Sequence, residues 1–264
     1  MQKNNFALIT GAASGIGRAY ALQLAARGCG LVLVDRNGEA LDQLATEIVS
    51  IHNVEVMLME VDLTVDGVAE LLYRDIAQRG VEIDTLICNA GVLLFGGFAT
   101  YSAEAINRII DLHCRVTTHL VHLFGSQMRA RGRGGVLLMA SATAWMPFPS
   151  ISLYAATKSY LRCLAEALHD EWAADGVKVT VVCPGAVDTP LYNLDEKLRR
   201  RLLFWRVMHS PEAIAKQGLR ALDRGRKRLV PGFVTRLSLL LCRLCPSWLV
   251  RWAIRRKRVR KLLE

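Results

Sequence analysis

Residues 6–18 read FALITGAASGIGR: an apolar run, a glycine-rich turn and the start of an amphipathic segment. A strand that passes through glycines into a helix gathers free backbone N–H groups and the positive end of a helix dipole at one point. The glycines also let phosphate groups approach the backbone closely. Their spacing is G-x-x-x-G-x-G rather than G-x-G-x-x-G. The stretch therefore predicts a strand–loop–helix unit that binds pyrophosphate, with candidate contacts at Gly11, Ser14, Gly15, Ile16 and Gly17.

The alternation of β-rich runs and helix-length segments continues along the chain. Continuous apolar runs indicate strands buried on both faces of a sheet. We predict strands at 6–10, 31–35, 54–61, 85–88, 136–139, 177–183 and, more weakly, 228–230. We predict helices over 15–28, 37–50, 65–79, 102–131, 152–175 and 211–224.

Alternating strands and helices are typical of an α/β fold with a doubly wound parallel sheet. The sequence shows neither an internal repeat nor a linker at its midpoint. We therefore predict a single Rossmann-type domain over residues 1–232, with about seven strands as expected for such a sheet. A basic amphipathic helical extension over residues 233–264 is predicted to follow it.

Composition limits the class of protein. Hydrophobic residues make up 52% of the chain and charged residues 22%, which excludes a disordered protein. The seven cysteines are scattered, which favours a reducing compartment over a disulfide framework. Their spacing matches no complete zinc site. The sequence shows neither a signal segment nor an apolar run of about 18 residues. We therefore predict a cytoplasmic protein without a bound metal.

An acidic residue bears on the choice of dinucleotide. Asp35 ends the second predicted strand, where a carboxylate can accept hydrogen bonds from ribose hydroxyls. Its charge favours NAD, because a carboxylate repels the 2′-phosphate of NADP. Arg36 follows directly and can pair with that phosphate, so NADP remains the alternative.

Further motifs follow the predicted strands in order, and together they resemble the short-chain dehydrogenase/reductase family. The resemblance runs from about Phe6 to Thr189 and implies a roughly seven-stranded sheet and hydride transfer between NAD(P) and an alcohol or carbonyl. It also implies a homo-oligomer. The motifs are Thr10-Gly11-x-x-x-Gly15-x-Gly17, Asp62, Asn89-Ala90-Gly91, Ser141, Tyr154-x-x-x-Lys158 and Pro184-Gly185-Ala186-Val187-Asp188-Thr189.

The resemblance also implies which residues meet each part of the cofactor. Asp62 and Leu63 would meet the adenine. The adenosine ribose would be met by Asn89, Ala90 and Gly91. The nicotinamide would be flanked by Pro184, Gly185, Val187 and Thr189.

Three polar residues can carry the proton chemistry of alcohol oxidation or ketone reduction. A tyrosine can donate or accept the proton if its pKa falls from its usual value of about 10. Tyr154 and Lys158 lie four residues apart, hence on one helical face, and an ammonium group lowers the pKa of a nearby phenol. Lys158 can also reach the nicotinamide ribose. Ser141, at the end of a predicted strand, can bind and orient the substrate oxygen.

One residue departs from the pattern of the family it resembles. Members often carry an asparagine that holds a water molecule, which relays protons from the lysine to solvent, and His113 occupies the position of that asparagine here. Because imidazole can both donate and accept a proton, we hypothesise that His113 takes over the relay. The alternative is a histidine that only packs within its helix.

The C-terminal part combines apolar and basic residues. The resemblance to the family implies that residues 191–208 cover the substrate as a flap. Their apolar residues and basic flank suit a lipid-like or sterol-like substrate; an ordinary amphipathic helix pair is the alternative. Of the 34 Lys and Arg residues, 13 lie between Arg224 and Glu264, with one acid among them. Together with Trp248 and Trp252 this favours peripheral contact with an anionic membrane. Packing on the body or on a second subunit and nucleic-acid binding are the alternatives, the last less favoured.

These patterns predict an NAD(P)-dependent oxidoreductase that acts on an alcohol or ketone, with a hydrophobic substrate. A protein that keeps the fold but only senses nucleotides or binds a membrane, with little turnover, is the alternative. The intact set of Ser141, Tyr154 and Lys158 favours the enzyme.

Overall fold

A computed structural model describes residues 5–145, 149–189 and 208–244. Its centre is a seven-stranded parallel sheet, ordered β3-β2-β1-β4-β5-β6-β9. The strands of this sheet are β1 (Phe6–Thr10), β2 (Gly30–Asp35), β3 (Val56–Glu60), β4 (Ile83–Cys88), β5 (Gly134–Met139), β6 (Val177–Val182) and β9 (Arg228–Leu229). Two further short strands, β7 (Ala186–Val187) and β8 (Met208–His209), pair only with each other.

Helices cover both faces of this sheet. They are α1 (Gly15–Ala25), α2 (Gly38–Ile51), α3 (Val68–Gln78), α4 (Ala103–Ile110), α5 (Val116–Ala130), α6 (Ser152–Glu171), α7 (Pro211–Asp223) and α8 (Phe233–Leu244). A π-helical turn, Asp111–Arg115, joins α4 to α5, and a 3₁₀ turn, Ala142–Trp145, follows β5.

The core consists of two apolar layers, one on each face of the sheet. The side chains of β1 alternate between them, so that Leu8 packs with α3 and α5 and Ile9 packs with α1 and α2. All five residues of β1 are buried. Burial on both faces explains why the strands lack the in/out alternation of a half-exposed sheet.

The predicted α/β fold with a doubly wound parallel sheet is confirmed, and each predicted strand and helix of residues 5–230 is present. Their ends differ from the predicted ones by up to four residues, and one helix is not continuous. The helix predicted over 102–131 is interrupted by the π-helical turn at Asp111–Arg115. A π-helical turn contains one residue more than a turn of α-helix. Such π-bulges frequently occur at functional sites.

The start of the predicted C-terminal extension is helix α8. Its small polar residue Thr235 is buried against Gly185, and the helix packs on the 3₁₀ turn Ala142–Trp145. The larger apolar residues Phe233, Leu237, Leu240 and Leu241 point outward. We call this exposed set the α8 face. The rest of the predicted extension, residues 245–264, lies outside the described residues, as do residues 191–207 of the predicted flap. Among the helices that the structure describes, none combines the length and the apolar character needed to cross a bilayer.

Candidate active site

The site lies where the strand order reverses, between β1 and β4, the point at which open α/β sheets bind ligands. Thr10, the last residue of β1, joins the two strands through its hydroxyl. It donates to the Ile87 carbonyl at 3.4 Å and accepts from the backbone N–H groups of Asn89 at 3.0 Å and Ala90 at 3.1 Å. The crevice between the strands is therefore shaped by the protein's own hydrogen bonds.

The glycine loop closes tightly over this junction. Gly11 and Gly15 have left-handed φ values of 65° and 53°, which favour glycine. A Cβ at Gly11 would lie 2.8 Å from the Ala90 Cα atom. Gly17 packs behind the loop, where a side chain would overlap the Gly11 carbonyl oxygen. The Asn89 side-chain amide donates to the carbonyls of Thr10 and Gly11, both at 3.1 Å, and so fixes the loop from the other side.

Asp35 is held by the glycine loop. Its carboxylate accepts from the Ala13 N–H at 3.1 Å and the Asn37 N–H at 3.2 Å. Arg36 is exposed beside it. On the next loop, Asp62 accepts from both the backbone and the hydroxyl of Thr64, and these hydrogen bonds lower the pKa of Asp62.

A single cleft of about 380 Å³ brings most of the predicted site residues together. Its lining contains Gly11, Ser14, Gly15, Ile16, Asp35, Arg36, Asp62, Leu63, Asn89, Ala90, Gly91, Ser141, Tyr154, Lys158, Pro184, Gly185, Val187 and Thr189. Two predicted residues, Gly17 and His113, are buried behind its wall. A cleft with a glycine-lined phosphate end and a polar catalytic end fits an extended dinucleotide.

One end of the cleft, which contains the predicted catalytic residues Tyr154 and Lys158, is built on α6. Tyr154 and Lys158 lie one turn apart on its buried face, with the Lys158 Nζ atom 5.7 Å from the centre of the Tyr154 ring. Lys158 donates to the Met139 carbonyl at 2.9 Å, and burial lowers its pKa to about 8. Ser141 follows β5 and accepts from the Thr143 N–H at 3.2 Å. The cation, the phenol and the hydroxyl thus line one cleft.

His113 lies in the π-helical turn and is completely buried. Its Nδ1 atom lies 2.8 Å from the Thr157 hydroxyl, and its Nε2 atom accepts from the Val92 N–H at 3.0 Å. The ring packs edge-on against Tyr154, with ring centres 5.8 Å apart.

Several contributors to the site were not predicted from the sequence. Thr10 is part of the glycine motif, but the motif does not indicate that its hydroxyl joins β1 to β4. Met139 contributes a backbone carbonyl, which carries no side-chain signal. Thr157 lies between Tyr154 and Lys158, and only its spacing of three residues from Tyr154 marked it as able to bond back to that residue's carbonyl.

The loop that follows the cleft residue Val92 carries exposed aromatic residues. Phe95 and Phe98 lie exposed on the loop that follows Val92. This loop is bound to the segment before α6, because Gly96 donates to the Ser150 carbonyl at 2.8 Å and the Tyr101 hydroxyl donates to it at 3.2 Å. Ser150 has a left-handed φ of 67°, an uncommon conformation that often marks functional loops.

Comparison with known proteins agrees with this geometry. The model of the family described as short chain dehydrogenase matches residues 5–198. An uncharacterized oxidoreductase of Staphylococcus epidermidis is 30% identical over 189 residues, which cover 72% of this chain and 80% of the relative. The human 17-beta-hydroxysteroid dehydrogenase type 3 is 34% identical over 190 residues, which cover 70% of this chain and 60% of that protein.

A solved structure extends the likeness to three dimensions. A short-chain dehydrogenase from Sphingobium yanoikuyae, in complex with NADPH, is 30% identical and superposes with a TM-score of 0.79. The match covers 89% of this chain and 92% of that chain.

Proposed function

Since the chain belongs to the short-chain dehydrogenase/reductase family and is an NAD(P)-dependent oxidoreductase, we propose that it interconverts a hydrophobic alcohol and its ketone. The observation that carries this proposal is the placement of Ser141, Tyr154 and Lys158 along one wall of the dinucleotide cleft.

Each residue of this set has a distinct role in the proposal. Tyr154 is the general acid and base that exchanges a proton with the substrate oxygen. The buried Lys158 ammonium stabilises the phenolate and so favours proton release from Tyr154. Ser141 donates a hydrogen bond to the substrate oxygen and fixes its position. When bound, NAD(P) supplies or accepts the hydride.

The cofactor would lie along the cleft in one direction. The loop from Gly11 to Gly15 would hold the pyrophosphate, and Asp35 would bind the adenosine ribose. The Ala13 and Asn37 N–H groups hold the Asp35 carboxylate at the end of β2, where it can accept from ribose hydroxyls, and this position supports our preference for NAD. NADP remains the alternative because Arg36 lines the same part of the cleft, and because the Sphingobium yanoikuyae relative is in complex with NADPH.

The hydrophobic character of the substrate is inferred from apolar residues near the cleft. Phe95 and Phe98 are exposed on the loop that follows Val92, a residue of the cleft lining, and helix α8 packs on the 3₁₀ turn that follows Ser141. The relative named as a 17-beta-hydroxysteroid dehydrogenase supports a lipid-like or sterol-like substrate.

The test of this function separates binding from turnover. Full-length protein is titrated with NADH and NADPH by fluorescence, and then oxidation of each is followed with a panel of sterol, fatty and short-chain ketones. We expect NADH to bind more tightly and the apolar ketones to be reduced. Tight binding without turnover of any ketone would instead favour a nucleotide-sensing protein.

The α8 face also supports contact with a membrane. Its residues 233, 237, 240 and 241 repeat at helical spacing and form one exposed apolar stripe. Exposed Arg236 lies on the same helix, and the sequence of residues 245–264 contains seven Lys and Arg but one acid. Apolar and cationic residues side by side are what a surface of anionic lipid binds. We propose that the α8 face lies on such a surface.

Charge placed on the α8 face is expected to release the protein from vesicles. Leu240 and Leu241 are 56% and 58% exposed, so the Leu240→Glu/Leu241→Glu variant should fold normally. We expect at least about a tenfold loss of co-sedimentation with phosphatidylserine-containing vesicles, since each buried leucine contributes roughly 1.5–3 kcal/mol. The measurement is vesicle pelleting at low and high salt.

The matched control places the same charges on α2. Val49 and Ile51 are 60% and 65% exposed there, and Val49→Glu/Ile51→Glu should pellet like the wild type. Wild-type protein that stays in the supernatant would overturn the membrane proposal. A change of molecular mass in the α8 variant without vesicles would point to a second copy on this face.

A further inference from the structure

The hydrogen bonds of His113 determine which ring nitrogen carries the proton. The Val92 N–H donates to Nε2, which therefore presents its lone pair. The Thr157 hydroxyl donates its single proton to the Tyr154 carbonyl at 2.9 Å. Its oxygen must then accept from His113, so Nδ1 carries the proton. Both nitrogens of a neutral imidazole are occupied by protein groups.

The surroundings oppose a second proton on the ring. The groups that face it are the Lys158 ammonium and the Tyr154 phenol, both from α6, and Cys114 follows it on its own turn. Burial and the positive charge of Lys158 hold the pKa of His113 well below its ordinary value. A proton on Nε2 would also meet the Val92 N–H, which points at the same atom.

The same bonds connect two walls of the cleft. Val92 belongs to the loop after β4, and Thr157 lies in the turn of α6 between Tyr154 and Lys158. The missing side chain of Gly91 leaves room for the ring, because a Cβ there would lie 3.0 Å from Nε2 and 3.5 Å from the Lys158 Nζ atom. His113 thus spans the distance from the loop after β4 to the catalytic turn.

We propose that His113 is a positioning residue, held as the neutral Nδ1–H tautomer, which sets the spacing between the Val92 loop and the Tyr154–Lys158 turn. It acts through Thr157 and takes no part in proton relay. The proton that Lys158 exchanges follows a path outside this ring. The inference rests on the proposed oxidoreductase function for its kinetic test, whereas the tautomer can be measured without any substrate.

The tautomer is tested by NMR on full-length protein with ¹⁵N-labelled histidine. We expect His113 to show a protonated Nδ1 and an unprotonated Nε2 from about pH 5.5 to about pH 9, a range that brackets the free-histidine pKa of about 6.5. His113→Asn identifies the signal by its loss. A His113 signal that titrates near its ordinary pKa, or one with the proton on Nε2, would overturn the proposal even if no substrate were known.

The kinetic test compares His113→Asn, which keeps one donor and one acceptor, with His113→Leu, which keeps neither. A misplacement of about 1 Å can cost about 10²-fold in rate, so we expect about 10- to 100-fold lower kcat for the leucine variant and a smaller loss for asparagine. The KM for the cofactor and the pH–rate profile should be unchanged. Thr157→Val should lower kcat as much as His113→Leu does. The losses of the two variants should not add in the double variant, because both break the same connection.

The control is His119→Asn. His119 is an exposed histidine on α5 whose side chain forms a hydrogen bond with Glu70 on α3. This variant should leave all these quantities unchanged. A proton relay would instead give a shifted pH profile in His113→Asn and full activity in Thr157→Val. If the leucine variant fails to fold, the Thr157→Val kinetics and the NMR tautomer still decide between the two roles.

Discussion

Tyr154→Phe is expected to lower kcat by about 10²- to 10⁴-fold, the contribution typical of a positioned general acid or base. The phenylalanine ring keeps the packing of the tyrosine against His113 and loses only the hydroxyl. Cofactor binding should therefore remain within about twofold, since the remote parts of the cleft are untouched. Stopped-flow measurement of hydride transfer and fluorescence titration of NADH give the two quantities separately.

The same helix provides a matched control. Tyr160 lies outside the cleft, where its exposed hydroxyl pairs with Thr118 at 2.7 Å. Tyr160→Phe should keep full activity. A Tyr154→Phe variant with more than about a tenth of wild-type turnover would contradict the assigned role, because the loss would fall below the range expected for acid–base catalysis.

Lys158→Met is expected to abolish turnover and yet stabilise the cofactor-free protein at neutral pH. The ammonium is fully buried, and burial lowers its pKa from about 10.5 to about 8. By linkage, this corresponds to a cost of roughly 3 kcal/mol while the lysine is charged. Methionine has a similar length and no charge, although the Met139 carbonyl then loses its donor, a loss of about 1 kcal/mol. The net effect should be a variant about 2 kcal/mol more stable.

The pH dependence of unfolding shows whether the buried charge of Lys158 stabilises or destabilises the folded protein. The unfolded lysine keeps its proton up to about pH 10.5, whereas the folded one loses it near pH 8. Between these values the unfolded state binds more protons, so wild-type stability rises with pH relative to the variant. Urea unfolding of both proteins at several pH values measures the difference. Parallel stability curves, or a variant that is less stable at neutral pH, would contradict this account of Lys158.

The fold could be predicted almost completely from the sequence, because each strand and helix shows its own pattern of apolar residues within a short stretch of the chain. Strands buried on both faces appear as continuous apolar runs, such as residues 31–35. The short pair β7–β8 left no such signal, since two residues do not establish a pattern. The π-helical turn at Asp111–Arg115 was also missed, because apolar spacing reports the helix face and not the hydrogen-bond register within it.

The position of residues in the cleft could be predicted where the side chain itself suggests a chemical role. Tyr154, Lys158 and Ser141 are of this kind, and the structure places them on one cleft. The role of His113 could not be judged from the chain alone. Its sequence position allowed both relay and packing, and only the partners Val92 and Thr157 show how its two nitrogens are used. Those partners are 21 and 44 residues away, beyond any local pattern.

Through its hydrogen bonds, the Thr10 hydroxyl fixes the shape of the dinucleotide crevice when the chain folds. Its three partners all belong to the β4 end of the junction, so the opening has its shape before a ligand arrives. The β1–β4 junction itself then needs little ordering on association, so that binding there reflects the contacts made with the coenzyme. Exchange of oxidised for reduced coenzyme, which must occur in every turnover, can therefore proceed on a preorganised surface without reassembly of the sheet.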